Sequence, residues 1–217
     1  MSCGIDEILL RLKGTREYEI LSGIKEIYYS LEKCQNEWYA RTEFTCPAGC
    51  GKCCHNFEPD LSEAEALYLA AWLLQNQTDK AYSIADGTFT YSPERTCILF
   101  DNENSYHCTC YSGRAFICRL FGGSCVKDKN GFPCWRPCKF YPDSRLASHK
   151  PPIFHREYDM EETMQLFGTL PPVMSDVTAQ ALGFTPENEK TEPLRKILPE
   201  KIRLLVTILS FLESTPA

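Results

Sequence analysis

The sequence lacks any long hydrophobic run. Its longest strongly apolar stretch, residues 204–212, is far shorter than the roughly 20 apolar residues that a transmembrane helix needs. The first 14 residues also lack the basic segment, apolar run and small-residue cleavage site of a secretory signal. We therefore predict a cytoplasmic protein that makes no membrane contact, in a compartment that keeps thiols reduced.

The sequence also lacks the motifs that identify several common enzyme classes. It shows no Ser-His-Asp set, no phosphate-binding glycine loop and no carboxylate pair. It contains no internal repeat and no low-complexity segment. Hydrolase and kinase functions therefore have little support, and the sequence assigns no catalytic residue.

Cysteine, in contrast, is abundant. The chain has 13 cysteines in 217 residues, and its 43% hydrophobic content is enough for a core that needs no disulfide staples. The stretch 46–54, CPAGCGKCC, holds four of these cysteines: Cys46, Cys50, Cys53 and Cys54. Adjacent cysteines pair with each other only through a strained ring, whereas one soft cation can bind several thiolates. The stretch therefore predicts a metal or iron–sulfur site, with redox thiols or disulfides as the alternative.

A second cysteine-rich region extends from residue 97 to residue 138. It contains Cys97, Cys108, Cys110, Cys118, Cys125, Cys134 and Cys138. One metal centre takes about four thiolates, so the two regions could hold one centre with spare thiols or two centres. Cys125, Cys134 and Cys138 are candidates to complete a second centre. In extended backbone, the adjacent side chains of Cys53 and Cys54 point to opposite sides, so the two would bind two different metal centres. A bent backbone would allow both to bind one metal. In the remaining alternative, one of the two is not a ligand and only supports one.

The spacing of the first three cysteines bears on which metal is bound. Structural zinc sites usually show two CxxC pairs, and here only Cys50 and Cys53 form one. Three closely spaced cysteines with a distant fourth are more typical of iron–sulfur clusters. We favour an iron–sulfur cofactor of the 4Fe-4S type, with zinc as the alternative.

Positive charge is concentrated beside the second cysteine region. Segment 108–150 holds eight Lys or Arg and two Asp, a balance of +6, while the whole chain carries −6. Arg114 and Arg119 are candidate cofactor-binding residues, because guanidinium groups donate to cluster sulfurs or to a carboxylate. The alternative is a salt bridge to an acidic helix. The acidic overall charge argues against a nucleic acid, so we expect a protein, a peptide or a small anionic substrate as partner.

Hydrophobic residues at helical spacing predict a mainly α fold, in which helices pack around an irregular cysteine-rich core with little β structure. Helices are predicted over residues 5–13, 16–40, 62–75, 113–121 and 157–167, with a final helix that has Pro199 in its first turn. Ser62 and Glu65 form a capping box at the third predicted helix. Residues 76–92 are predicted to be irregular, with a short strand over 88–91, and Cys34 to be a buried apolar side chain.

The chain divides into an N-terminal helical segment (1–45), a cysteine-cluster core (46–150) and a C-terminal helical segment (151–217), together one compact domain. The core reads C-I-L-F-D from Cys97, C-T-C-Y from Cys108, then Arg114, and C-R-L-F from Cys118. With the CxxxCxxCC run, this pattern resembles the YkgJ-like cysteine-cluster family of zinc- or iron-chelating domains, over roughly residues 44–125. The family is distantly similar to flagellin lysine N-methylase.

The resemblance implies seven ligands: Cys46, Cys50, Cys53, Cys54, Cys97, Cys108 and Cys118. It implies metal binding more firmly than any reaction, with peptide or protein modification as the activity that the methylase suggests. A zinc-stabilised interaction module and metal storage or delivery are the alternatives. Ile98, Ala115 and Gly122 replace family prolines, and Cys110 replaces an apolar residue, either as buried filler or as an extra ligand. Among the histidines, His55 is the best candidate for a mixed ligand set.

Overall fold

A computed structural model describes residues 4–46, 49–90 and 96–214. About 52% of the chain is helical, and the fold is mainly α, as predicted. The helices are α1 (Asp6–Arg11), α2 (Arg16–Thr42), α3 (Glu63–Asn76), α4 (Thr78–Asp86), α5 (Phe116–Leu120), α6 (Asp143–Ala147), α7 (Met160–Phe167), α8 (Met174–Leu182) and α9 (Leu194–Ser214), with a 3₁₀ turn at Tyr111–Gly113. The strands are β1 (Asp60–Leu61), β2 (Cys125–Lys127), β3 (Pro133–Trp135) and β4 (Glu192–Pro193).

Side chains at the helix ends explain where the two helices beside the cysteine loops begin. Thr15 caps α2 by accepting from the Tyr18 N–H at 3.2 Å. At α3, Ser62 accepts from the Glu65 N–H, and the Glu65 carboxylate accepts from the Ser62 N–H, which is the predicted capping box. Each such cap stabilises its helix by about 1 kcal/mol.

Helix α3 lies at the centre of the larger hydrophobic cluster. Every residue from 64 to 74 is buried, because α2, α4 and α9 pack around the helix. Strands β1 and β4 pair antiparallel, with Leu61 opposite Glu192, and this pairing joins the start of α3 to the start of α9. The cluster draws residues from all three predicted segments of the chain.

A second cluster is aromatic and lies at the end of α2. Trp38 is fully buried there, with its ring 5.5 Å from that of Trp135 and 5.1 Å from that of Phe167. Strands β2 and β3 form an antiparallel pair that supplies Trp135 and places Cys125 directly opposite it. The end of α2 therefore rests on the second half of the cysteine-rich core.

Two local predictions were wrong. Residues 76–92 contain helix α4, whose Ala81 and Ile84 are buried against the core, so tertiary packing overrides the polar composition. Residues 88–90 form no strand, and residue 91 lies outside the described residues. Helices α6 and α8 were not predicted.

The start of α9 and the position of Cys34 also differ from the prediction. Helix α9 begins at Leu194, so Pro199 lies inside it instead of in its first turn. Cys34 is exposed, and its neighbour Gln35 is buried instead, donating from Nε2 to the Arg119 carbonyl oxygen at 2.8 Å. This side of α2 faces backbone carbonyls of the cysteine-rich core, which need a donor and not an apolar group. Within the described ranges, no helix is long and apolar enough to cross a membrane.

Candidate metal centre

The first cysteine loop follows α2 and bends sharply. The Cys54 N–H donates to the Gly51 carbonyl at 2.9 Å, which closes a turn, and the Cys54 side chain raises the pKa of Cys53. The backbone is therefore bent at the adjacent pair, and both Cys53 and Cys54 line the same cavity.

Two glycines allow this loop to lie directly against the second one. Gly49 and Gly51 have φ values of +76° and +61°, which L side chains rarely adopt. A Cβ atom on Gly49 would lie 2.3 Å from the Ser105 carbonyl oxygen, and one on Gly51 would lie 2.2 Å from His107 Cδ2. No side chain fits between the two loops at these points.

The second loop is held by its own turns and by α3. The Thr109 N–H donates to the Leu99 carbonyl at 2.9 Å, and the Cys97 N–H donates to the Phe57 carbonyl of the first loop at 3.1 Å. Gly113 lies so close to the Trp72 ring of α3 that an added Cβ would be 2.6 Å from it. Helix α5 then carries Cys118 back toward the first loop.

The two loops and one side of α2 enclose a cavity of about 720 Å³. Seven cysteines line it: Cys46, Cys50, Cys53, Cys54, Cys97, Cys108 and Cys118. They are the same seven that the resemblance implied as ligands. In the part of the chain that the structure describes, no three His, Cys, Asp or Glu side chains already converge at metal-binding distance. The donor set nevertheless fits a thiophilic metal, because seven cysteines from two loops line one cavity.

The thiols form two neighbouring groups. Burial raises the pKa of Cys46 to about 11, and the nearby thiols of Cys53, Cys50 and Cys138 add to the rise. Burial also raises the pKa of Cys118, where Cys97, Cys108 and Cys53 contribute. Cys53 is common to both groups. The raised pKa values favour the protonated forms of Cys46 and Cys118, whereas a bound metal would stabilise their thiolates.

Cys108 and Cys110 form a pair within the second group. Their sulfurs are 3.8 Å apart. The hydrogen bond from Cys110 lowers the pKa of Cys108 to about 7, while the same bond, together with burial, raises the pKa of Cys110. Cys110 is fully buried and does not line the cavity. Its position is that of a buried residue that supports a cavity thiol.

The structure does not bring Cys125, Cys134 and Cys138 together as a second centre. Cys125 is fully buried in the aromatic cluster, and the β2–β3 register puts Cys134 on the opposite face of the strand pair, with its sulfur 3.8 Å from Glu157 Oε1. Cys138 lies beside Cys46 instead. A Cβ atom added to Gly122 would be 3.5 Å from Cys46 Cβ and 3.9 Å from Cys138 Cβ. Metal ligation by Cys125, Cys134 and Cys138 remains a prediction from the sequence.

Gly122 itself explains one departure from the family pattern. Its φ is +80°, whereas proline is restricted to about −65°. A proline at this position would need a different turn between α5 and β2, so the glycine permits the turn that this chain uses beside Cys46.

Arg114 and Arg119 both line the cavity. In residues 4–46, 49–90 and 96–214, neither forms an ion pair with a carboxylate, so the predicted alternative of a salt bridge to an acidic helix is not observed. Burial raises the pKa of Cys46 and Cys118, and the Arg114 charge opposes both rises. Arg114 is therefore close enough to both thiol groups to offset the negative charge of thiolates.

His107, and not His55, is the histidine at the cavity. His107 lines it and stacks on Phe100 with ring centroids 6.0 Å apart, while His55 is exposed and lies outside the lining. Sequence reasoning also missed a polar and aromatic side of α2 that lines the cavity. That side includes Tyr28, Glu32, Gln35 and Tyr39. Their spacing of four, three and four residues is the signal that could have identified them.

Comparison with known proteins identifies one matching family. Residues 45–152 match the family model CxxCxxCC, described as "Putative zinc- or iron-chelating domain". No curated protein and no solved structure matches the chain. The matched residues include all seven cavity cysteines and both arginines.

Proposed function

We propose that the chain binds iron as an iron–sulfur centre in its cysteine-lined cavity, because residues 45–152 match the CxxCxxCC family model, described as "Putative zinc- or iron-chelating domain". The observation that carries the proposal is the presence of seven thiols from two loops on one cavity. A structural zinc site is usually closed by four ligands, whereas this cavity offers more thiols than one zinc ion binds. Iron–sulfur clusters use such thiolate-rich pockets.

The two thiol groups divide the ligand roles. Cys46, Cys50 and Cys53 would hold the metal from the first loop, and Cys97, Cys108 and Cys118 from the second, with Cys54 beside the junction. Arg114 and Arg119 would offset the negative charge that several thiolates bring into a partly buried space. When bound, an iron–sulfur centre supplies one-electron redox chemistry.

The cavity is wide enough to admit a further molecule beside the thiols. This space favours a centre that acts on a bound substrate over one that only stabilises loops. Modification of a peptide or protein is the activity implied by the resemblance to the methylase. The +6 charge of segment 108–150 would draw an anionic substrate toward the cavity.

Anaerobic purification tests the metal directly. We expect iron and acid-labile sulfide in the protein, visible charge-transfer absorbance and, after reduction, an electron paramagnetic resonance signal. Cys53→Ser should lower the iron content, while Cys34→Ser, at an exposed position on α2, serves as the matched control and should not. Protein that contains only zinc and no sulfide would refute the iron–sulfur proposal.

The same preparation discriminates the alternatives. Tightly bound zinc whose removal unfolds the chain would indicate a zinc-stabilised interaction module, since metal binding and folding are then coupled. Metal that exchanges freely with a chelator, without unfolding, would indicate storage or delivery.

A further inference from the structure

The cavity is larger than a metal centre alone requires. In zinc sites the sulfurs lie about 2.3 Å from the metal, so the metal and its thiolate ligands together fill only a small volume. The cavity measures about 720 Å³, within the range of about 300–1,000 Å³ that is typical of pockets for small organic molecules. Besides the cysteines, aromatic side chains line the cavity. Tyr28 and Tyr39 come from α2, and Tyr106 and Tyr111 stack on each other with centroids 4.6 Å apart.

Among the described residues, the Arg114 guanidinium donates a hydrogen bond only to Tyr111. Its Nη1 donates to the Tyr111 carbonyl at 2.6 Å, and its Cζ lies 3.6 Å from the centre of the Tyr111 ring, which fixes the plane of the group. Its Nε is buried and has no hydrogen-bond partner within the described ranges. Nε and Nη2 together form the edge that binds a carboxylate through two parallel hydrogen bonds.

Two more buried polar atoms on cavity residues lack a partner among the described residues. They are Tyr28 Oη and His107 Nδ1. Buried polar atoms in folded proteins nearly always bond to protein or ordered water, so three such atoms on residues that line one cavity call for a polar partner there. Two of them, Arg114 Nε and Tyr28 Oη, are donors, which favours an acceptor group such as a carboxylate. Glu32 also lines the cavity, but its side chain is exposed to solvent.

Arg119 holds this arrangement in place. Its Nε donates to the Arg114 carbonyl at 2.9 Å, its Nη2 donates to the Ser112 carbonyl, and its guanidinium lies 4.1 Å from the centre of the Tyr28 ring. It therefore fixes the backbone that carries Arg114 and orients the ring of Tyr28. Such preorganisation lowers the entropy cost of binding a ligand.

We propose that this cavity is a binding site for an organic carboxylate, which the Arg114 guanidinium holds beside the thiolate centre. The inference deepens the proposed function, because it names the class of molecule that the metal centre would face. The carboxylate belongs to a small molecule with an apolar or aromatic body, or to the C-terminus of a peptide. The two sources share the same recognition chemistry.

Calorimetric titration of the anaerobically purified, metal-containing protein tests the site. The probes are N-acetyl-phenylalanine, its C-terminal amide, and an N-acetylated tripeptide ending in phenylalanine in the same acid and amide forms. We expect at least one acid to bind about 10- to 100-fold more tightly than its amide, since a charge-assisted hydrogen bond is lost with the carboxylate. Preference for the single residue or for the tripeptide distinguishes the two sources. Equal binding of acids and amides, or no binding of any probe, overturns the inference.

Variants then assign the contact to Arg114. Arg114→Lys should weaken acid binding by about tenfold or more, because lysine cannot present a planar two-donor edge. The control is Arg136→Lys, at an exposed arginine that pairs with Glu157 away from the cavity. Acid binding unchanged by Arg114→Lys, in protein of normal metal content, overturns the inference. Metal analysis of the same samples separates the two proposals. Wild-type protein without iron refutes the proposed function, and iron-loaded protein that binds no acid refutes only this inference.

Discussion

Replacement of Gly51 by alanine tests how the two cysteine loops fit together. The substitution adds one methyl group, which would lie 2.2 Å from His107 Cδ2, and it does so at a φ of +61°. The backbone conformation alone costs about 1–2 kcal/mol for a residue with a Cβ. Overpacking of a tight contact adds about 1–3 kcal/mol. We therefore expect Gly51→Ala to lower the free energy of unfolding by about 2–5 kcal/mol, or to move the first loop away from the second.

Gly87→Ala is the matched control. Gly87 has a φ of +80°, but a Cβ atom there would have no neighbour within 4 Å. The control shares the conformational cost of about 1–2 kcal/mol and lacks the clash. Urea unfolding of the metal-loaded proteins measures both changes, and metal analysis shows whether displacement of the loop reduces metal content. Gly51→Ala protein that matches the Gly87→Ala protein in stability and metal content would refute the close contact between the loops.

Other residues provide independent tests. In metal-free protein, Cys108 should be alkylated before Cys97, because its pKa is lowered to about 7 by the hydrogen bond from Cys110, whereas burial raises that of Cys97 to about 12. The thiolate is the reactive form, so the rate at which iodoacetamide labels Cys108, measured by mass spectrometry, should rise as the pH passes through 7. Equal labelling rates for Cys108 and Cys97 would contradict this prediction. Trp38→Ala should lower the free energy of unfolding by about 3–5 kcal/mol in urea titrations, since the ring is fully buried, and a loss below about 1 kcal/mol would contradict the aromatic cluster. Metal affinity, measured by competition with a chelator, should fall as the pH is lowered from 8 to 6, because a thiol must lose its proton to bind the metal. Burial raises the pKa of Cys46 to about 11, so this thiol is one that must be deprotonated. An affinity that does not change with pH would argue against thiolate ligands.

Local patterns predicted most of the long helices. The apolar spacing of α2 and the capping box of α3 depend on residues only three or four positions apart, so they can be read without knowing the fold. Helix α4 could not be found in this way. Its sequence is polar, and it is helical where Ala81 and Ile84 pack on the core, which depends on residues far along the chain.

The same limit explains the error at Cys34. The period of α2 correctly placed an interior side near this residue, but it could not distinguish which of two adjacent positions faces inward. Gln35 is buried because its amide meets the carbonyl oxygens of Arg119 and Gly123, at 2.8 Å and 3.4 Å. Those acceptors are more than 80 residues away in sequence, at separations of 84 and 88.

The sequence by itself indicated metal binding by thiolates. The dense spacing of thiols, with glycines that allow a tight loop, predicted a soft-metal site, and the family match over residues 45–152 agrees with it. Only the tertiary structure decided which groups share the cavity. It placed Cys138 beside Cys46, put Cys125 and Cys134 on opposite faces of the β2–β3 pair, and brought His107 and the tyrosines of α2 to the cavity that the cysteines line. The spacing of cysteines along the chain restricts their relative positions only within one loop. The packing of α2, α3 and the aromatic cluster determines how two loops separated by a helix meet.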